Sequence, residues 1–322
     1  MKKRIVLLTS GGDAPGMNAA IRAVVRSGLD AGHEIFGVQS GFIGLIHGEF
    51  IPLDTHSVSN IIQCGGTVLK TSRCEDFKTL EGLKKAKNHL ESHKIDTLII
   101  IGGDGSFRGA LELSEIWEGQ IIGIPGTIDN DLYGTDETIG FDTAINTALD
   151  AVDKIRDTAD AHGRFFLIEV MGRLSGYIAL HVGLAGGAEE IFIPEHTINI
   201  DDLCTKLCEN RKIGKLSSII IVAEGCQQGD SHMIAKILEG KCGNPYRVVV
   251  LGHLLRGGAP TAKDRILGSK LGEHAISSLP QSQGCFMVGC INNKNVCTPM
   301  SETIKNKKNI NQYDYELLHK LS

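Results

Sequence analysis

The richest chemistry in this 322-residue chain stands in Pro125-Gly126-Thr127-Ile128-Asp129-Asn130-Asp131, where two carboxylates and a hydroxyl follow the apolar run 120–124. A parallel strand delivers its following loop to the sheet edge where ligands of open α/β folds bind, so this loop is placed to carry a catalytic base. Two further loops have the same setting. Arg4 to Thr9 reads as a buried strand that breaks into Ser10-Gly11-Gly12-Asp13-Ala14-Pro15-Gly16, and 95–101 breaks into Gly102-Gly103-Asp104-Gly105-Ser106. Glycines there let backbone N–H groups approach an anion, and a helix N-terminus behind them adds positive potential, which suits phosphate. Asp104 contributes a hard oxygen of the kind Mg²⁺ accepts alongside phosphates.

Each loop alone also fits a plainer role. Strand-to-helix turns need glycine and an N-cap whatever they do, and a turn aspartate commonly forms an Asx-turn. Three such loops at one sheet edge argue for a functional site. The chain has no Walker A pattern, and no G-x-G-x-x-G opens a helix after the first strand, so the phosphate site is neither a P-loop nor a dinucleotide fingerprint.

These loops need strands and helices to hold them. Apolar runs at 4–9, 34–39, 95–101, 120–124, 165–170, 190–193, 217–223, 246–251 and 284–289 alternate with helical patterns, which predicts an α/β, doubly wound fold. The clearest helix is 141–161, with Phe141, Ala144, Ile145, Ala148, Leu149, Val152 and Ile155 on one stripe. At 322 residues the chain exceeds one usual core, and two domains of about 150 residues are expected. A net charge of −5 with no basic stripe argues against nucleic acid as a partner. The one basic run, Lys305 to Lys308, reads as a solvated surface. Neither a signal-peptide core nor a membrane span is expected. Nine cysteines without a C-x-x-C pair point to reduced thiols in the cytoplasm, with Cys204 and Cys208 packing in a helix.

Five motifs together carry a family resemblance: Ser10 to Asn18, Gly102 to Ser106, Pro125 to Asp131, Glu169-Val170-Met171-Gly172-Arg173, and Leu251-Gly252-His253-Leu254-Leu255-Arg256-Gly257-Gly258. In order and spacing the chain resembles the bacterial ATP-dependent 6-phosphofructokinases from about residue 3 to about residue 290. That resemblance implies two doubly wound domains with mostly parallel sheets and the active site in the cleft between them. It implies an ATP-binding domain of 1–140 plus 255–305, and a sugar-phosphate-binding domain of 141–254 plus 306–322.

The resemblance also implies roles. Mg²⁺-ATP would transfer a phosphoryl group to the 1-hydroxyl of fructose 6-phosphate, with Asp129 as base, Thr127 beside the transferred group, Arg173 also catalytic and Asp104 holding the metal. The nucleotide would rest on Gly12, Arg73, Cys74, Gly103, Asp104, Gly105 and Ser106. The sugar phosphate would meet Thr127, Ile128, Asp129, Met171, Gly172, Arg173, Glu224, His253, Leu254, Leu255 and Arg256, with Arg164 and Arg247 reaching in from a neighbouring subunit of a homotetramer. Several arginines suit a dianionic phosphate. Glycine at 105 and 126, where the pyrophosphate-dependent branch of the family has acidic and lysine residues, makes ATP the expected donor. Arg22, Arg26, Arg156, Glu189 and Lys215 match the effector site. Thr55, Asn60, Leu216 and Ser217 depart from it, so weak or absent response to ADP and phosphoenolpyruvate is expected.

Two other classes share features with the chain. NAD kinases and diacylglycerol kinases use a Gly-Gly-Asp-Gly loop but share only that loop. A non-catalytic sugar-phosphate sensor would have lost the base or the metal ligand, and Asp104, Thr127 and Asp129 are all present.

Overall fold

Why strands form where they do is clearest at Thr97–Gly102 and Gln120–Pro125, whose residues are all buried. Runs of Ile and Leu buried on both faces belong in the interior of a parallel sheet covered by helices. The computed structural model describes residues 2–280 and 284–322. In chain order its strands are β1 Arg4–Thr9, β2 Glu34–Val38, β3 Phe50–Pro52, β4 Thr97–Gly102, β5 Gln120–Pro125, β6 Phe165–Val170, β7 Glu190–Phe192, β8 Ser218–Ala223, β9 Tyr246–Val250, β10 Cys285–Ile291 and β11 Lys294–Pro299.

Two sheets result. The first has the order β11-β10-β5-β4-β1-β2-β3, and the second β7-β8-β6-β9. In the first, β10, β5, β4, β1 and β2 pair in parallel, while β3 and β11 close the two edges antiparallel. The second is parallel throughout. The α/β class with mostly parallel sheets is therefore as expected. By its contacts the chain divides into two units, Met1–Thr143 with Arg256–Lys308, and Ala144–Leu255 with Asn309–Ser322.

The first unit's core gathers Val6, Leu8, Leu98, Ile100, Phe107, Ile121 and Met287. The second unit's core gathers Leu167, Phe192, Leu207, Ile220, Val222 and Ile234. The long helix runs Phe141–His162, and Ala144, Ala148, Val152 and Ala159 on its stripe are fully buried. No helix among the described residues is long and apolar enough to cross a membrane.

Two edge strands fall outside the expected apolar runs, and two expectations need correction. The edge strands β3 and β11 escape the hydrophobic pattern because an edge is only partly covered. β11 joins β10 through Asn292 and Asn293, both with positive φ and with Ile291 opposite Lys294, the geometry of a two-residue hairpin turn. After the turn the chain continues as β11 and the helices Met300–Lys305 and Gln312–Leu321. The expectation of reduced thiols fails at one pair: Cys204 and Cys242 form a disulfide with Cα atoms 5.5 Å apart. It links the helices Ile200–Lys212 and Ser231–Cys242, and the packing of two helices is not visible in cysteine spacing. Lys308, read as solvated, is half-buried with its ammonium turned inward, as described below.

Candidate active site

In the first unit the ends of β1, β4 and β5 lie side by side because these three strands are neighbours in one parallel sheet. Their loops touch. The Ser10 N–H donates to Ile101 O at 3.0 Å, and the Gly126 N–H to Gly102 O at 2.9 Å. A side chain on Gly103 would meet Thr127, and one on Gly11 would meet the Ser106 hydroxyl. The three sequence motifs are therefore one surface.

Within it the glycine loops have features that suit an anion. Gly16 and Gly103 cap the helices Met17–Asp30 and Asp104–Ser114 without a side-chain hydrogen bond, so the first-turn N–H groups are not taken by a cap side chain. The Thr71 hydroxyl fixes the loop by donating to Gly11 O at 2.8 Å. Arg256 lies across this loop: its Nη1 donates to Asp13 O at 3.0 Å, and its guanidinium fills the space a side chain on Gly12 would need. Asp104 sits in the first helical turn, with Oδ2 accepting from Arg108 Nε at 2.9 Å. Arg73 is exposed and Cys74 half-buried.

The two glycines expected to bear on the choice of donor differ in their surroundings. A side chain at Gly105 would meet nothing within 4 Å, so that position opens on free space. At Gly126 it would press on Ile101 at 2.9 Å and Met17 at 3.0 Å, so that glycine is also required by core packing.

The base candidate is buried. Asp129 and Asn130 are 3% and 2% exposed, and Thr127 is 8% exposed. The Asp129 N–H donates to Thr127 Oγ1 at 3.2 Å. The Thr138 hydroxyl donates to Thr127 O at 2.6 Å, and the Thr138 N–H to Asn130 Oδ1 at 3.1 Å. Asn130 itself has φ near 52°, a left-handed conformation that asparagine tolerates better than most residues. Ile128 is fully buried, so only its backbone is available to a ligand.

In the second unit the candidate residues fall at opposite ends of one sheet. Met171, Gly172 and Arg173 follow β6, and Glu224 follows β8. Glu224 Oε1 accepts the Arg173 N–H at 2.8 Å and the Gly172 N–H at 3.4 Å. Gly172 has φ near 145° and Arg173 near 53°, so this carboxylate holds a loop in a conformation that a free arginine rarely adopts. Arg173, His253 and Leu254 lie at the surface, while Leu255 is fully buried and offers only its backbone. Arg164 precedes β6 and Arg247 is the second residue of β9. Both are exposed at the start of paired parallel strands, where Phe166 stands opposite Arg247. A six-residue strand separates that end from Arg173 by about 20 Å.

Residues 4–279 match the family described as Phosphofructokinase. The chain belongs to that family. It is 51% identical over 320 residues to the ATP-dependent 6-phosphofructokinase of Clostridium tetani, covering 99% of each chain. To the ATP-dependent 6-phosphofructokinase 1 of Thermus thermophilus it is 52% identical over 310 residues, covering 96% of each. The structure of phosphofructokinase from Saccharomyces cerevisiae superposes with a TM-score of 0.89 at 35% identity. That match covers 94% of this chain and 45% of the yeast one.

In this phosphofructokinase-family chain the effector-type residues are also engaged. Lys215 Nζ lies 2.8 Å from Glu189 Oε1, and Glu189 is buried, its other oxygen accepting from the Ser218 hydroxyl and the Ile219 N–H. Arg156 donates to Gly186 O and Gly187 O. Arg22 is half-buried and Arg26 exposed, both on the helix Met17–Asp30 of the other unit. Sequence reasoning missed Arg108, Thr71 and Thr138 as supports of the loops. Arg108 was legible as a partner four residues after Asp104 on a helix, but the other two depend on long-range contacts.

Proposed function

We propose that this protein transfers the terminal phosphoryl group of ATP to the 1-hydroxyl of fructose 6-phosphate, giving fructose 1,6-bisphosphate and ADP, as a cytoplasmic step of glycolysis. The observation that carries the reading is the single surface formed by the loops of Ser10 to Asp13, Gly103 to Ser106 and Thr127 to Asp129, in a chain whose relatives bear that activity in their names. Phosphoryl transfer asks a protein mainly for positioning, charge and a base at the attacking oxygen.

Asp129 takes the proton from the 1-hydroxyl as that oxygen attacks the terminal phosphorus, and the bond from phosphorus to the bridging oxygen of ADP breaks. Thr127, next to it, orients the transferred group. The N–H groups of Gly11, Gly12, Gly103 and Gly105 face the nucleotide phosphates, with Arg73 and Ser106 beside them and Cys74 at the nucleotide's edge. Met171, Gly172, Arg173, Glu224, His253, Leu254, Leu255 and Arg256 receive the sugar phosphate, Glu224 doing so with the oxygen that does not hold the Arg173 loop.

Asp104 fits Mg²⁺: it is a carboxylate with one oxygen on Arg108, and Mg²⁺ is usually held by one or two carboxylates together with substrate phosphates. Bound there, the ion would neutralise charge on the phosphates.

Arg164 and Arg247 stand a strand's length from Arg173 within the same unit, which supports their serving a neighbouring chain's 6-phosphate in a homo-oligomer, a tetramer by family resemblance. A coupled assay of the purified protein with ATP against pyrophosphate, and with fructose 6-phosphate against other sugar phosphates, tests the reaction. Turnover with ATP and fructose 6-phosphate is expected, and its absence refutes the proposal. Mixing inactive Arg247→Ala chains with inactive Asp129→Asn chains tests sharing: activity returns if the sites are shared and stays absent if they are not.

A further inference from the structure

Lys308 is the last residue of the first unit and follows a basic run whose other lysines, Lys305 and Lys307, are exposed. Its own ammonium turns inward. Nζ donates to Asn130 Oδ1 at 2.9 Å and to Asp136 O at 2.6 Å. Asn130 is the residue after the base candidate and is buried, with a left-handed backbone. Its side chain is the centre of a small lattice: Oδ1 also accepts the Thr138 N–H at 3.1 Å, and Nδ2 donates to Asp136 O at 3.3 Å. The same turn is tied to β10, where the Asp136 N–H donates to Cys290 O and Asp136 Oδ2 accepts the Asn292 N–H.

We infer that Lys308 is a positioning residue for phosphoryl transfer: it clamps the Asn130 side chain against the 136–138 turn and so fixes the direction in which the Asp129 carboxylate points. The inference rests on the reading of Asp129 as the base.

Two physical points support it. A left-handed, non-glycine residue keeps its conformation only where its surroundings over-determine it, and Asn130 has three hydrogen bonds to do so, one from a cation. Hydrogen bonds to a charged donor are also about twice as strong as neutral ones. Retaining this ammonium is not free: burial lowers it from its ordinary value to about 8, against the opposing pull of Asp136, Glu137 and Asp131.

The test uses the full-length enzyme. Lys308→Met keeps the stem and removes the ammonium. Expected is a kcat lower by about 10- to 100-fold, the scale of a misdirected catalytic group, with both KM values within about threefold of wild type and the thermal midpoint retained. Asn130→Gly accepts the positive φ but lacks the carbonyl, and it serves as the partner in a double-mutant cycle. If Lys308 acts through that carbonyl, the double variant loses no more kcat than the worse single one. Losses that multiply overturn the route through Asn130. Should methionine at 308 prevent folding, Lys308→Gln supplies the same comparison. Asp129→Asn is measured alongside: a folded Lys308 variant within about twofold of wild-type turnover, beside an inactive Asp129→Asn, overturns the role of Lys308 alone. Wild-type turnover in Asp129→Asn overturns the base and the clamp together.

Discussion

The loops at the ends of β1, β4 and β5 and the loops at the ends of β6 and β8 are built in opposite ways. In the first unit the candidate base is buried, and its neighbours Thr127 and Asn130 are bonded to a turn that a third strand secures. In the second unit the candidate groups are surface arginines and a histidine, one of them on a backbone held left-handed by Glu224. The difference is one of burial, and it fits the proposed division of labour. Proton transfer rewards a fixed, sheltered carboxylate, whereas a dianion arriving from water must be met by cations that water can still reach.

The comparison breaks first at Asp129. Asp129→Asn should lower kcat by about 10²–10⁴-fold, the usual worth of a positioned general base, in steady-state assays at saturating substrates. Turnover within about threefold of wild type would show that the sheltered carboxylate takes no proton.

Glu190 gives the next largest effect and shows that the second unit has a buried carboxylate of its own. Burial raises Glu190 from its ordinary 4.5 to about 7, and burial lowers His319, whose Nδ1 is 3.5 Å away. Both shifts favour neutral forms, so near pH 7 the pair is held by proximity more than by full charge. The native state therefore keeps a proton between about pH 4.5 and 7 that the unfolded chain has released, so Glu190 stabilises the fold below that window and loses the contribution as pH rises through it. Glu190→Gln should flatten this slope by about 1–3 kcal/mol across calorimetric melts from about pH 5 to 8. Parallel stability profiles for the two proteins would contradict it.

Smaller again is Glu224→Gln. The amide can still accept the Arg173 N–H but without charge, which should raise KM for fructose 6-phosphate about fivefold while KM for ATP stays put. An equal rise in both would place Glu224 outside the sugar-phosphate half.

Last comes regulation. Lys215 is already paired with the buried Glu189 and Arg156 with backbone carbonyls, so a ligand would have to displace partners these cations already hold. Titrating ADP and phosphoenolpyruvate at subsaturating fructose 6-phosphate should shift half-saturation little. A large shift at low effector concentration would show that these cations are released for the ligand.

Much of this was legible in the sequence. The loops around Gly12, Asp104 and Asp129 declare themselves because parallel strands are apolar throughout and end abruptly in glycine. Their convergence follows once β1, β4 and β5 are neighbours. What stayed hidden has a common cause. The Cys204–Cys242 bond, the Lys308 clamp and the packing behind Gly126 each join residues far apart in the chain, and local pattern carries no trace of such partners. The β10–β11 turn is local, yet it stayed hidden because β11 carries no apolar run to mark the second strand.

If Arg164 and Arg247 serve a neighbouring chain's phosphate as proposed, their separation from Arg173 along β6 and β9 has a kinetic consequence. A phosphate pocket assembled from both sets obeys mass action, because each chain must find another before it can work. Specific activity then depends on how much protein is in the cuvette, falling on dilution and recovering on concentration. Fructose 6-phosphate, by bridging the two sets, would slow that decline.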